Sequence, residues 1–169
     1  MLHFIMIIVV MGVTGTGKTT IGKKLAEHLS IPFIEGDEYH DQASIMKMQK
    51  GIPLQDEDRY PWLRTLSGLL QMEEGREGAV LACSALKEEY RQILQQPLKQ
   101  KLKWIYLEGD EQLLRERMKN RPGHFMPAVL LRSQLDTIEK PTYAQSFSVH
   151  RDPAIIVKEI MSCLHHPGD

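Results

Sequence analysis

A continuous apolar run, Phe4-Ile5-Met6-Ile7-Ile8-Val9-Val10-Met11, stops at Gly12, and a helical pattern begins a few residues later. A run with no polar face, bounded by a glycine, reads as a strand buried on both sides, as in a parallel sheet covered by helices. From Thr19 to Leu29 the residues Ile21, Leu25, Ala26 and Leu29 share one helical face, and Pro32 ends the pattern. Phe33-Ile34 then makes a short second strand that runs into Glu35-Gly36-Asp37. Strand, loop, helix, strand is the βαβ unit, so the chain is expected to fold as an α/β protein.

The rest of the sequence continues the alternation. Helices are expected over Ser44 to Lys50, Asp58 to Glu74, Lys87 to Gln96, Glu111 to Asn120 and Pro127 to Ile138, with a last one from Pro153 to Leu164. Strands are expected at Ala79 to Cys83, Lys103 to Leu107 and Phe147 to Val149. With 169 residues, 42% hydrophobic and 25% charged, there is material for one core, so 1–169 reads as a single domain. No segment reaches the roughly 18 to 20 apolar residues that would cross a bilayer, and no leader peptide is recognised. A soluble, cytoplasmic protein is expected, with no membrane partner. A formal net charge of −1 gives no footprint for a nucleic acid. Cys83 and Cys163, the two cysteines, are expected to be reduced thiols.

The loop between the first strand and helix is Gly12-Val13-Thr14-Gly15-Thr16-Gly17-Lys18-Thr19, which fits G-x-x-x-x-G-K-[ST]. Its glycines let backbone N–H groups close on phosphates, and the positive end of the following helix adds attraction. Lys18 is expected to reach the β- and γ-phosphates and Thr19 to offer its hydroxyl to Mg²⁺. Residues Gly12 to Thr19, together with Thr20, are the expected contacts of a nucleoside triphosphate. A switch GTPase would show N-K-x-D and D-x-x-G. Asn120 is the sole asparagine, arginine follows it, and no aspartate precedes a glycine by three. Small-molecule phosphoryl transfer is therefore favoured over a switch or a motor.

Ligands of α/β sheets bind beyond the carboxyl ends of the strands. Glu35-Gly36-Asp37-Glu38-Tyr39-His40 and Cys83-Ser84-Ala85-Leu86-Lys87 fall there and suit an acceptor pocket. Asp37 is a candidate to take the proton of an attacking hydroxyl, or else a helix cap; Glu35 either holds Mg²⁺ through water or faces solvent.

Beyond the loop, several blocks resemble the gluconate kinase family across nearly the whole chain. They include Gly36-Asp37-Glu38-Tyr39-His40, Gly51 to Leu63, Cys83-Ser84-Ala85-Leu86-Lys87 with Tyr90-Arg91, and Gly123-His124-Phe125-Met126-Pro127. The resemblance implies ATP-dependent phosphorylation of the 6-hydroxyl of D-gluconate. Kinship with shikimate and adenylate kinases implies a five-stranded parallel sheet of order 2-3-1-4-5 with helices on both faces. By the same likeness Asp37, His40, Arg59, Lys87 and Arg91 line the gluconate pocket, and family members are often dimers, so a homodimer is one expected assembly. A carboxylate suits a guanidinium fork, while Lys87 and Arg91, four apart, are expected on one helical face. Asp56 and Asp58 are also able to point into the site, and Trp62 reads as a core anchor.

Arg117 and Arg121 lie four apart before Pro122-Gly123, a spacing that resembles the lid entry of adenylate-type kinases. On that likeness Arg117 meets adenine, Arg121 meets the transferred phosphate, and a lid spans about 117–135. A sibling kinase acting on another sugar acid or on shikimate, or a nucleotide-binding module without turnover, remain the rival readings.

Overall fold

The computed structural model describes residues 5–121 and 128–165. Five parallel strands, β1 (Ile7–Met11), β2 (Phe33–Glu35), β3 (Ala79–Ala82), β4 (Lys103–Glu108) and β5 (Gln145–Ser148), form one sheet in the order β2-β3-β1-β4-β5. This is the expected strand order. In β1, Ile8, Val9 and Val10 are all fully buried. Successive side chains of a strand point to opposite faces, so both faces of the sheet are covered. Val9 pairs with Leu81 on one side and Trp104 on the other, which puts the start of the glycine loop at the middle of the sheet's carboxyl edge.

Among the described residues, seven α-helices accompany the strands: α1 (Lys18–Leu29), α2 (Gln42–Gln49), α3 (Asp56–Glu74), α4 (Glu88–Gln95), α5 (Glu111–Lys119), α6 (Ala128–Thr137) and α7 (Pro153–His165). Helix α1 packs with α7 and against β3, while α3 packs with α4 and against β1 and β3. Helix α1 ends earlier than Pro32 requires. Ser30 adopts a left-handed conformation and its N–H returns to the carbonyls of Ala26 and Glu27.

Local chemistry explains where element boundaries differ from the sequence pattern. Helix α3 begins at Asp56, two residues before the expected start, because the Asp58 carboxylate accepts the Gln55 N–H at 2.9 Å and closes the first turn. Residues 36–39 form a short 3₁₀ turn that periodicity did not show, with Glu35 accepting the Asp37 N–H at 3.5 Å. The indole N–H of Trp62 donates to the Gly36 carbonyl at 2.7 Å and fastens α3 to that turn. The fifth strand starts two residues before the expected Phe147. Its outer face is open, so only Phe147 of the four residues is buried and the apolar signal is faint.

Candidate active site

Gly12, Gly15 and Gly17 all have positive φ, at 148°, 83° and 90°. The loop they shape delivers the chain into α1, whose first turn holds no acidic residue and whose N-cap makes no side-chain hydrogen bond. The helix's own first turn and N-cap thus leave its positive end open to an anion. Lys18 lies over the loop, its Nζ donating to the Val13 carbonyl at 3.0 Å. Burial pushes its pKa down, Asp37, Cys83 and Glu35 pull it back up, and Arg121 opposes them. A desolvated ammonium facing acidic groups is poised for a multiply charged anion.

Thr19 and Glu35, expected to act together at a metal, are in contact: the Thr19 hydroxyl donates to Glu35 Oε2. Asp37 stands next in line, two-thirds exposed, with His40 Nε2 3.8 Å from its carboxylate. His40 is buried, stacks on Trp62 with ring centroids 4.1 Å apart, and its Nδ1 has no hydrogen-bond partner. Asp37, His40, Arg59 and Trp62 line a cleft that continues to Lys18 and Thr19. Trp62 is therefore both a core anchor and a wall of the site.

Arg59 joins this cleft, but the other two basic residues expected there do not. Arg91 is 2% exposed and spends all five guanidinium N–H groups inside the protein. Nε donates to the Ala85 carbonyl and Nη2 to that of Leu86, both at 3.1 Å, and Nη2 also donates to Glu139. Nη1 serves Glu88 at 3.2 Å and Tyr143 at 3.3 Å. No donor is left for a ligand. Lys87 is the N-cap of α4, not a helical residue, so it does not share a helical face with Arg91; its ammonium pairs with Asp56 at 2.9 Å. Asp58 likewise pairs with Lys47 at 2.7 Å. What Arg91 does support is the loop beside the cleft. Ala85, buried at φ 45°, is held in a left-handed turn, and the neighbouring Ser84 lines the cleft and accepts from Gly12 N at 3.4 Å.

On the far side of the loop a second hollow of about 430 Å³ is bounded by Thr16, Thr20, Arg117, Arg121 and Val149. Arg117 donates to the Val149 carbonyl, which fixes its guanidinium along one wall. Arg121 lines both hollows and so stands between them. Pro122, Gly123, His124, Phe125 and Pro127 lie outside the described residues.

A third hollow, about 760 Å³, sits at the opposite edge of the sheet near Lys103, Tyr143 and Leu164 and contains no loop residue. Size does not make it the chemical site, because the loop, the acidic turn and Arg59 all converge elsewhere. Cys83 lies near Lys18, and burial pushes its thiol up to about 12, so it packs and does not react. Among the described residues, no group of three or more His, Cys, Asp or Glu residues could hold a metal ion alone.

Sequence reasoning missed Gln134 and Ser133 of α6, which close the cleft from above; the Gln134 side chain accepts the Thr14 N–H at 2.8 Å. No spacing rule connects Gln134 to a loop 120 residues away.

A parallel sheet of order 2-3-1-4-5, a glycine loop after its central strand and a cleft beside that loop lined by Asp37, Arg59 and Lys18 define a P-loop kinase acting on small molecules. Residues 14–164 match the Shikimate kinase family model. The chain is 40% identical to a probable gluconokinase of Xenopus tropicalis, covering 92% of this chain and 91% of the relative. It is 44% identical to the thermosensitive gluconokinase of Escherichia coli K12, covering 79% and 71%. The crystal structure of a gluconokinase from Sinorhizobium meliloti 1021 superposes with a TM-score of 0.87 at 43% identity, covering 97% of this chain and 94% of that one. The chain belongs to the gluconokinase family.

Proposed function

We propose that the protein transfers the γ-phosphoryl group of ATP to the 6-hydroxyl of D-gluconate, giving 6-phospho-D-gluconate and ADP. The observation that carries this reading is the meeting of Lys18, Asp37 and Arg59 on one cleft, one group each for donor phosphate, reacting hydroxyl and acceptor carboxylate. The names of the gluconokinase relatives support the choice of acceptor.

In this scheme the loop amides, the first turn of α1 and Lys18 hold the phosphates, with Thr20 and Arg117 on the nucleoside side. Arg59 takes the acceptor's carboxylate, and His40 offers hydrogen bonds to its hydroxyl chain. The 6-oxygen forms a bond to the γ-phosphorus as the bond to the bridging oxygen of ADP breaks. The proton of the hydroxyl passes to Asp37. Phosphoryl transfer depends more on alignment and charge neutralisation than on a strong base, so an exposed aspartate suffices. Arg121, between the two hollows, meets the charge on the transferred group.

The Thr19 hydroxyl and Glu35 carboxylate supply two oxygens side by side, which fits Mg²⁺ completed by water and phosphate oxygens. When bound, Mg²⁺ neutralises charge on the β- and γ-phosphates. Helices α5 and α6 belong to the lid expected over about 117–135, of which residues 122–127 lie outside the described residues. Supporting this, α5 and α6 pack on each other, and Gln134 already reaches the loop.

The decisive experiment measures ADP release with ATP and a panel of gluconate, other sugar acids and shikimate. Gluconate-dependent turnover is expected. Turnover on another acid without any on gluconate would overturn the choice of acceptor, and nucleotide binding without turnover on any acid would overturn the enzymatic reading.

A further inference from the structure

Two aspartates, Asp56 and Asp58, precede Arg59 at short range in sequence, and each has its own lysine. Asp56 pairs with Lys87 at 2.9 Å and Asp58 with Lys47 at 2.7 Å. Arg59, which follows them on α3, has no carboxylate within ion-pair distance among the described residues. Its Nη1 instead donates to the Tyr90 hydroxyl at 3.0 Å, and its guanidinium lies 5.4 Å from the centre of the Tyr90 ring. The Tyr90 hydroxyl in turn donates to Asp56 Oδ1, which also accepts from Lys87. Each role in this chain is fixed: Arg59 only donates, Asp56 only accepts, and the phenol does both. Tyr90 itself is 1% exposed, so its ring cannot swing away.

We propose that Tyr90, backed by the Lys87–Asp56 pair, is a positioning device for acid recognition: it orients Arg59 through a neutral hydroxyl and so leaves the guanidinium charge unspent for a substrate carboxylate. The inference rests on the acid-acceptor reading given above. A carboxylate in the place of Tyr90 would orient Arg59 equally well but would cancel its charge, and an isolated Asp56 would draw Arg59 out of the cleft. Lys87 prevents the second outcome by neutralising Asp56. Two lysines, two aspartates and one arginine leave a single positive charge, and the geometry puts it on the residue that lines the cleft. Lys87 therefore acts on the acceptor through Asp56 and Tyr90, without touching it. Burial, followed by the bond to Asp56, raises the pKa of Tyr90, so the phenol stays protonated and retains its donor role.

The test is steady-state kinetics with ATP and gluconate on the full chain. Tyr90→Phe is expected to raise the gluconate KM about fivefold, the worth of one hydrogen bond near 1 kcal/mol, with kcat and the ATP KM within about twofold of wild type. Lys87→Met, which frees the Asp56 charge, is expected to raise the gluconate KM by a similar factor. Adding Asp56→Asn to Lys87→Met removes that stray charge and is expected to return the KM to within about twofold of wild type. A merely structural role would move kcat and thermal stability and would show no such rescue. An unchanged KM in Tyr90→Phe, or a double variant as impaired as Lys87→Met, overturns the proposal. If Tyr90→Phe fails to fold, the half-exposed Lys87 and Asp56 variants decide alone. A wild type without activity on gluconate would refute the proposed function instead, so the two failures are distinguishable.

Discussion

The side-chain oxygen of Gln134 accepts a hydrogen bond from the backbone N–H of Thr14 at 2.8 Å, joining α6 to the phosphate loop across 120 residues of chain. One loop amide is thereby occupied by a carboxamide that is polar but uncharged. Ser133 and Leu130, on the same helix, reach the same cleft. The bond sets α6 against the loop and the cleft beside it.

Replacing this carboxamide separates its two properties. Gln134→Ala removes the acceptor and is expected to lower kcat/KM by about two- to tenfold, the usual net worth of one hydrogen bond. Gln134→Glu keeps an acceptor but adds a negative charge beside the phosphates, so its ATP KM is expected to exceed that of the alanine variant. Steady-state titrations of ATP at saturating gluconate check this. A glutamate variant with a wild-type ATP KM would show that Gln134 does not face the nucleotide.

Arg91 is expected to behave as a structural residue. Its guanidinium answers the carbonyls of Ala85, Leu86 and Glu139 in a buried setting, and Lys, with three donors on a compact head, cannot satisfy that set. Arg91→Lys and Arg91→Met should both lower the melting temperature, with a cost of about 3 kcal/mol or more for the methionine variant. At a temperature where the variant is folded, its gluconate KM should stay near the wild-type value. A raised KM with an unmoved melting temperature would return Arg91 to the pocket.

The contrast between Arg59 and Arg91 shows what was legible in the sequence. Local patterns carried the strands, the loop and the existence of nearly every helix, because those depend on periodicity and on glycine positions near one another in the chain; the strand order followed only from the resemblance to known kinases. The acidic cluster Glu35-Gly36-Asp37 was legible because it lies at a strand end, although its 3₁₀ form was not. Which of three basic residues faces the cleft depends on partners far away: Tyr90 for Arg59, Asp56 for Lys87, and the carbonyl of Glu139 for Arg91. A basic residue followed by another four places on looked like a shared face, yet Lys87 is an N-cap with extended backbone and the two diverge. Gln134 carried no signal at all, since a glutamine on a helix is ordinary until the fold sets it against a loop.

Two glycines of the loop should respond differently to a methyl group. A Cβ on Gly12 would meet the Leu107 carbonyl at 2.7 Å and Thr16 Oγ1 at 3.0 Å, and that carbonyl belongs to β4, which cannot shift without disturbing the sheet. A Cβ on Gly17 would meet nothing within 4 Å, leaving only the strain of its φ of 90°, about 1 to 2 kcal/mol. Gly12→Ala should therefore melt well below Gly17→Ala. The latter should fold yet lose turnover, because its methyl group projects where phosphates approach the backbone. Thermal melts paired with ADP-release assays test both halves, and equal melting temperatures would contradict the packing argument.

His40 gives a pH dependence with a definite sign. Burial foremost lowers its pKa from the ordinary 6.5; Asp37 and Asp41 pull it up, and Arg59 pushes it down. Stacked on Trp62 with Nδ1 unpartnered, the ring is accommodated as the neutral species. Between 6.5 and the lower folded value, the unfolded chain binds this proton and the folded protein does not. Stability consequently falls as pH drops through that window. The carboxylates of Asp56 and Asp58 are shifted in the same direction, but act at lower pH. Their hydrogen bonds to Tyr90 and Lys47 hold them below the ordinary 3.8, so their contribution persists at pH 5.5 and disappears only in stronger acid. The loss of urea midpoint between pH 7.5 and pH 5.5 is accordingly expected to shrink in His40→Gln, which has no proton to gain. An equal loss in wild type and variant would mean that His40 titrates in the folded protein as it does in the unfolded chain.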